Sequence, residues 1–295
     1  QQRERMVERR GSGRVFDVEV TPVFAEDESE PSGAVALFMD VTRLERLESV
    51  RQQFIANVSH ELRTPLTAIK AYVETAEEEL DASGTVSRRF LEKIDAHATR
   101  MTALIDDLID LSRIETGAIQ LEPTRVRLAE SARQVLSQLE PRHRLGEGGR
   151  DVSVSIEIEP TLEVVADPLR LEQILSNLID NAIKFNRPGG NVTIRAEQQP
   201  DRTMIIVEDE GEGILSEDLE KIFHRFYQVD PARSPERRGT GLGLSIVKHL
   251  TQLHGGSVRC ESELGRGAKF IVELPPRASV ARTARQAIVN GTGSR

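Results

Sequence analysis

Two long runs of apolar residues at helical spacing constrain this chain more than any other feature. Leu44, Leu47, Phe54, Val58, Leu62, Ile69, Val73, Ala76 and Leu80 recur on one helix face, with Thr42 and Glu45 spaced as a capping box at its start. After the breaker ASGT (Ala82–Thr85) a second series runs Leu91, Ile94, Ala98, Met101, Leu104, Leu108 and Leu111. Two such helices, at about 1.5 Å per residue, are each roughly 40 Å long, and the short loop makes them antiparallel neighbours. A lone helical hairpin cannot enclose its own stripe. Two hairpins side by side can, so the expectation is a dimeric four-helix bundle.

What flanks the hairpin differs in character. A chain of 295 residues has room for about two domains and a smaller piece. Upstream, Val15–Val23 and Gly33–Asp40 read as strands around an acidic turn, too little for a domain, so residues 1–42 read as the end of a truncated one or a small cap. Downstream of the hairpin (43–116), residues 117–276 are mixed α/β. A helix is expected over Leu128–Leu139 and strands at Val152–Ile158, Val192–Glu197, Met204–Glu208, Ser257–Glu261 and Lys269–Leu274. Asp167-Pro168 pairs a carboxylate cap with Pro at the first helical position and opens a helix through Phe185, while further helices are expected at Ser216–Phe223 and Leu242–Leu253. Helices segregated from a largely antiparallel sheet make a two-layer α/β sandwich. The stretch 277–295 has few apolar anchors and reads as a flexible tail.

Composition narrows the function classes. Lys and Arg total 39 against 48 Asp and Glu, a net charge of −9 that repels a phosphate backbone and makes nucleic acid an unsuitable main partner. The single cysteine, Cys260, forms no internal disulfide and no thiolate metal cluster, as expected in a reducing compartment. No apolar run approaches the roughly 20 residues that span a bilayer. The chain begins with Gln1 and not Met, so any membrane attachment, and the sensed signal, is expected to enter through sequence upstream, with this stretch as the cytoplasmic region of an anchored protein.

His60 lies two positions, about 200° of helix, from both Val58 and Leu62, so it points away from the apolar stripe. Glu61 flanks it and Thr64 follows at i+4, placing an imidazole, a carboxylate and a hydroxyl on one patch. Pro65 cannot donate to the Glu61 carbonyl, so the helix is expected to bend there.

In the mixed region, NLIDNAIKF (Asn177–Phe185) places Asn177, Asn181 and Lys184 on one helix face, where amide oxygens and an ammonium can meet a cation and phosphates. VEDEGEGI (Val207–Ile214) ends a strand on Asp209, a carboxylate able to accept from an exocyclic amine, followed by Gly211 and Gly213; an ordinary turn fits the same string. RGTGLGLSI (Arg238–Ile246) carries glycines into a helix start, which favours a phosphate but lacks the GxxxxGK[ST] of a P-loop. Between them, IFHRFYQVDPARSPERR offers Arg225, Arg233, Arg237 and Arg238 to negative charge.

FIANVSHELRTPLTAI (Phe54–Ile69) resembles the phosphoacceptor box of sensor histidine kinases. In this order, NLIDNAIKF, DEGEG, IFHRF and GTGLGL resemble the N, G1, F and G2 boxes of the Bergerat-type ATP-binding domain that these kinases share with Hsp90, gyrase B and MutL. The similarity covers about Leu47–Pro275 and is nearest to the phosphate-sensing type, with opening strands like the end of a PAS domain.

The resemblance implies an ATP:protein-histidine phosphotransferase that acts on itself within a homodimer. His60 would be phosphorylated through Nε2, Glu61 would orient the imidazole, and Thr64 would align the water that dephosphorylates a partner. Asn181 would hold Mg²⁺, Asn177, Lys184 and Arg225 would place the phosphates of ATP, and Asp209 would read adenine between Gly211 and Gly213. Residues 228–239 would form a mobile lid closed by the G2 glycines, and Gly239, Thr240, Gly241, Leu242, Gly243 and Leu244 would bind the nucleotide. The partner would be the receiver domain of a response regulator. Leu215 and Arg238 depart from the family's usual residues without removing a ligand, and His224 and Gln228 stand in the F box where a Glu and a basic residue are common, a departure that bears on lid contacts. A nucleotide-driven clamp of the same superfamily, or a dimeric scaffold with a decayed site, is the alternative.

Overall fold

The structure, a computed structural model, describes residues 2–7, 13–24, 31–83, 85–144, 152–229 and 239–276. The acidic turn at 25–30, the Gly-rich loop at 145–151, the lid segment 230–238 with Arg233, Arg237 and Arg238, and the tail 277–295 lie outside the described residues. The chain forms two compact units, Gln1–Phe90 and Leu91–Arg295.

In the first unit, β1 (Gln2–Val7), β2 (Val15–Phe24) and β3 (Pro31–Asp40) form an antiparallel sheet in the order β1-β2-β3. β2 and β3 are the two expected strands. β1 is additional: QRERMV shows no apolar alternation, and the strand exists through its ladder with β2, from Gln2 opposite Val20 to Val7 opposite Val15. The sheet is tied to the helix that follows, α1 (Thr42–Ser83). Asp40 Oδ1 accepts from the Thr42 backbone N–H at 3.0 Å and from its hydroxyl at 2.6 Å, and that hydroxyl accepts from the Val15 N–H at 2.9 Å. The first free N–H of the helix is thus met by Asp40 and not by a Thr42–Glu45 capping box.

α1 is 42 residues long and carries Pro65 inside it, which at 1.5 Å per residue makes it about 63 Å, longer than expected. Its stripe is partly uncovered: Leu44 and Leu47 are more than half exposed, as are the apolar neighbours Val50, Ile55 and Leu66, while Phe54, Val58, Leu62 and Ile69 are half-buried and Ala76 is buried. The chain then doubles back. Ser87 N–H donates to Glu79 at 2.8 Å and the rings of Tyr72 and Phe90 lie 6.4 Å apart, closing the turn of a helical hairpin whose second arm is α2 (Arg88–Glu115). Among the described residues no helix is long and apolar enough to cross a membrane.

In the second unit, α2 stops in a Schellman arrangement, with Gly117 N–H donating to Ile114 and Ala118 N–H to Arg113. Two short strands absent from the sequence expectation, β4 (Thr124–Arg127) and β6 (Glu163–Ala166), pair antiparallel with Val126 opposite Val164. Four-residue strands leave almost no periodic signal. The main sheet has the order β5-β7-β8-β10-β9, built from β5 (Ser153–Glu157), β7 (Asn191–Gln198), β8 (Thr203–Asp209), β9 (Ser257–Ser262) and β10 (Ala268–Leu274). Only the β5–β7 pair is parallel.

The helical layer consists of α3 (Leu128–Arg144), α4 (Pro168–Lys184) and α5 (Gly243–Leu253), with α4 between the other two. Leu171, Ile174, Leu175, Leu178 and Ile179 of α4 are fully buried with Ile194, Ile205, Val207, Ile246 and Leu250. Each such side chain stabilises the domain by roughly 1.5–3 kcal/mol. The two-layer sandwich is therefore the observed fold, and it turns the opposite face of α4, with Asn177, Asn181 and Lys184, away from the sheet. The helix expected at Ser216–Phe223 is two 3-10 turns, Ser216–Asp218 and Lys221–Phe223. Buried Asp218 there accepts from Tyr227 at 2.6 Å and Lys221 at 3.0 Å, bonds that favour a pinned loop over a continuous helix.

The α4 cap contains a pH-sensitive element. Asp167 accepts from the N–H groups of Arg170 at 3.1 Å and Glu122 at 2.9 Å, and its own N–H donates to Nε2 of buried His254 at 3.1 Å. His254 Nδ1 lies 2.8 Å from the Leu250 carbonyl, so both contacts fit only the neutral ring with its proton on Nδ1. Burial lowers the His254 pKa against opposing pulls from the Leu250 carbonyl and Asp167. A folded-state pKa below the unfolded value of about 6.5 means this contribution is complete above about pH 6.5 and is lost as pH falls through the folded value. An NMR titration should show an Nδ1–H tautomer at neutral pH and protonation only below 6.5; titration at or above that value refutes the assignment.

Candidate active site

On α1, helix geometry sets His60 outward, its side chain 73% exposed, and Glu61 beside it, 22% exposed. His60 Nδ1 stands 3.9 Å from Glu61 Oε1, within ionic reach but beyond a hydrogen bond, so a closing of about 1 Å is needed before the carboxylate fixes the tautomer. Thr64 donates its hydroxyl to the His60 carbonyl at 3.1 Å. Its side chain thus returns to the helix backbone and has to rotate to meet a water.

In the second unit the four motifs converge. A Cβ added to Gly243, the first residue of α5, would meet Asn177 Oδ1 at 2.7 Å, and one on Gly239 would meet Lys184 Nζ at 2.9 Å. Residues 239–244 therefore lie directly against the polar face of α4. Burial lowers the Lys184 pKa to about 8, the Asp180 carboxylate opposing and Arg100 assisting. Its ammonium lies 5.2 Å from the Phe185 ring centroid. Asn177 spends its Nδ2 on the Gln173 carbonyl at 3.1 Å, which aims Oδ1 toward α5. Among the described residues the Asn181 carboxamide makes no hydrogen bond.

Asp209 closes β8 and is 6% exposed. Its Oδ1 accepts from Gly211 N–H at 2.8 Å and Ala268 N–H at 3.2 Å, which leaves Oδ2 for a ligand's amine. Burial pushes the carboxyl up to about 6, although both N–H groups pull it down. A Cβ on Gly211 would overlap the Phe185 carbonyl, one on Gly213 the Glu263 carbonyl, and one on Gly241 the Phe226 backbone, so these three admit a close approach of the protein's own chain. Gly241 also sits at φ 68°, opposite Phe226 at φ 60°, with Phe226 N–H bonded to the Gly241 carbonyl at 2.8 Å. Gly239 and Gly243 face the side chains of Lys184 and Asn177, and Gly211 lies against Asp209 Oδ1 as well as the Phe185 carbonyl. Leu242 has no exposed side chain, so it can contribute only backbone.

These groups suit Mg-ATP: a buried carboxylate with one open oxygen, an ammonium, neutral amide oxygens and the free N–H groups of a helix start. Among the described residues no cluster of His, Cys, Asp or Glu could hold a metal by itself, so a cation here would need phosphate oxygens beside Asn181. Two residues expected at the nucleotide site are engaged elsewhere. Arg225 pairs with Glu115, and the Thr240 hydroxyl donates to Asp107 at 2.8 Å. Those acids on α2 were not legible as site residues, because long-range pairing leaves no local pattern beyond a carboxylate near the apolar stripe.

The profile of the His Kinase A (phospho-acceptor) domain matches residues 50–117. That of the histidine kinase-, DNA gyrase B- and HSP90-like ATPase matches residues 166–278. The sensor histidine kinase WalK of Bacillus subtilis (strain 168) is 34% identical over 256 residues, covering 86% of this chain and 41% of WalK. This chain thus spans under half the length of that relative. Full-length ShkA in complex with AMPPNP is similar at 30% identity and TM-score 0.55, over 76% of this chain and 45% of ShkA. Histidine kinase ThkA, solved in complex with the response regulator protein TrrA, is similar at 25% identity and TM-score 0.58, over 94% of this chain and 79% of ThkA. With a phospho-acceptor helix and this ATPase domain in one chain, the protein belongs to the sensor histidine kinases of the HisKA and HATPase type.

Proposed function

We propose that the chain autophosphorylates on His60 with Mg-ATP and passes the phosphoryl group to an aspartate of a response regulator. The observation that carries this reading is the pairing of an outward His60 beside Glu61 with a second unit in which Asn177, Lys184, Gly239 and Gly243 meet. Mg-ATP, when bound, supplies an electrophilic γ-phosphorus whose bond to the bridging oxygen breaks as the new N–P bond forms. His60 attacks in line through Nε2, and Glu61 holds the proton on Nδ1 so that the attacking lone pair stays free. Asp209 anchors the base, Lys184 and Asn177 place the phosphates, and Asn181 ligates the cation.

Thr64, once its hydroxyl turns from the His60 carbonyl, aligns water for dephosphorylation of the regulator. ThkA, a relative solved with a response regulator, supports a receiver-domain partner. The exposed apolar residues Leu44, Leu47, Val50, Ile55 and Leu66 of α1 support a homodimer through the hairpin, residues 43–116, with 117–276 as the ATP-binding domain. The sheet β1–β3, joined to α1 through Asp40 and Thr42, is read as the trailing part of a sensor domain.

Incubation with γ-labelled ATP and Mg²⁺ tests the reading. The label should be lost in acid and survive alkali, as a phosphoramidate does. No label, or an acid-stable one, overturns the proposal.

A further inference from the structure

Within the second unit, α2 presents a row of acids to the ATP-binding domain. Asp107 Oδ2 accepts from Thr240 Oγ1 at 2.8 Å. Asp110 accepts from Arg170 Nη1 at 3.3 Å and from Gln173 Nε2 at 2.7 Å. Glu115 pairs with Arg225. Behind the row, Leu104, Leu111 and Ile114 are buried, so α2 is packed down as well as bonded. Gln173 lies one turn before Asn177 on α4, and Thr240 lies between Gly239 and Gly241, so the acids adjoin the groups assigned to phosphate.

Thr240 and Arg225 are donors whose anionic partner would be a nucleotide phosphate. Here both hold carboxylates of α2. Two anions cannot share one charge-assisted donor set without strong mutual repulsion. Asp107 is itself held at a cost: burial pushes its carboxyl up to about 6, and Asp110, Asp106 and Asp180 add like charge against the bond from Thr240. A contact of that kind is readily displaced by a stronger anion.

We propose that Asp107 and Glu115 are built-in competitors of the nucleotide phosphates, so that nucleotide binding and docking of α2 on the ATP-binding domain are opposed states of one equilibrium. This rests on reading Asn177–Lys184 and Gly239–Leu244 as the nucleotide site. By linkage, whatever loosens α2 tightens nucleotide, and nucleotide loosens α2 by the same factor. The docked arrangement keeps the phosphate donors occupied until nucleotide or a movement of the helices frees them.

The test measures Mg-ADP affinity by calorimetry on the full chain, wild type beside Asp107→Asn, Glu115→Gln and the double variant, none of which alters a group assigned to nucleotide. The double variant should bind about fivefold or more tightly than wild type, the lower range of measured couplings, with each single variant between. Hydrogen exchange on the wild type gives an independent readout: saturating Mg-ADP should speed exchange of the amides of residues 104–115. Unchanged affinity in a cooperatively folded double variant, or unchanged exchange in the wild type, overturns the proposal while leaving the nucleotide site in place. Absence of Mg-ADP binding to every form would overturn both.

Discussion

His60→Gln abolishes incorporation of phosphate from γ-labelled ATP while leaving nucleotide affinity within about threefold, the range expected for independent sites. The imidazole is solvent-facing on α1, and its Nδ1 lies 3.9 Å from Glu61, so its removal opens no cavity and strands no buried charge. Gln preserves helix propensity and size but lacks the nucleophilic ring nitrogen. All the groups assigned to nucleotide belong to the other unit. The measurement is label per protein after a fixed interval, with nucleotide binding read by calorimetry on the same preparation. Undiminished, acid-labile label in the variant would place the phosphoacceptor on another histidine.

Asn181→Asp lowers phosphorylation by about a hundredfold or more, the loss typical of a misplaced electrostatic group at a reacting phosphate. Asp180 precedes it, and Asp107 already feels the Asp180 charge. A further carboxylate beside a triphosphate adds repulsion and offers the cation a charged ligand in place of a neutral amide oxygen. Fold stability should change little, because the Asn181 side chain has no hydrogen bond to lose among the described residues. The comparison is ATP affinity with and without Mg²⁺, together with the labelling rate, for wild type and variant. Normal labelling would show that the cation is held without this residue.

The amino-acid sequence by itself determined the longer helices and the identity of the chemical groups. α1, α2, α4 and α5 are long amphipathic segments whose period repeats enough times to be read, and Asp167-Pro168 marks the start of α4 through local bonding alone. The string around His60 and the order of the four motifs from Asn177 to Leu244 are local as well, so His60, Asn181 and Asp209 could be put forward as site residues without coordinates.

Tertiary structure decided whatever depends on a partner distant in the chain. β1, β4 and β6 exist because a strand elsewhere supplies the other half of each ladder. Gly213 and Gly241 lie against backbone, Gly211 against backbone and Asp209 Oδ1, and Gly239 and Gly243 against Lys184 and Asn177, distinctions set by what lies within 3 Å of an absent Cβ. Arg225 and Thr240 carry no mark in the sequence that they pair with Glu115 and Asp107. Hydrophobic periodicity reports which face of an element is buried. It does not report which carboxylate from another element settles against a particular donor, because that choice rests on electrostatics and packing across more than a hundred residues of chain.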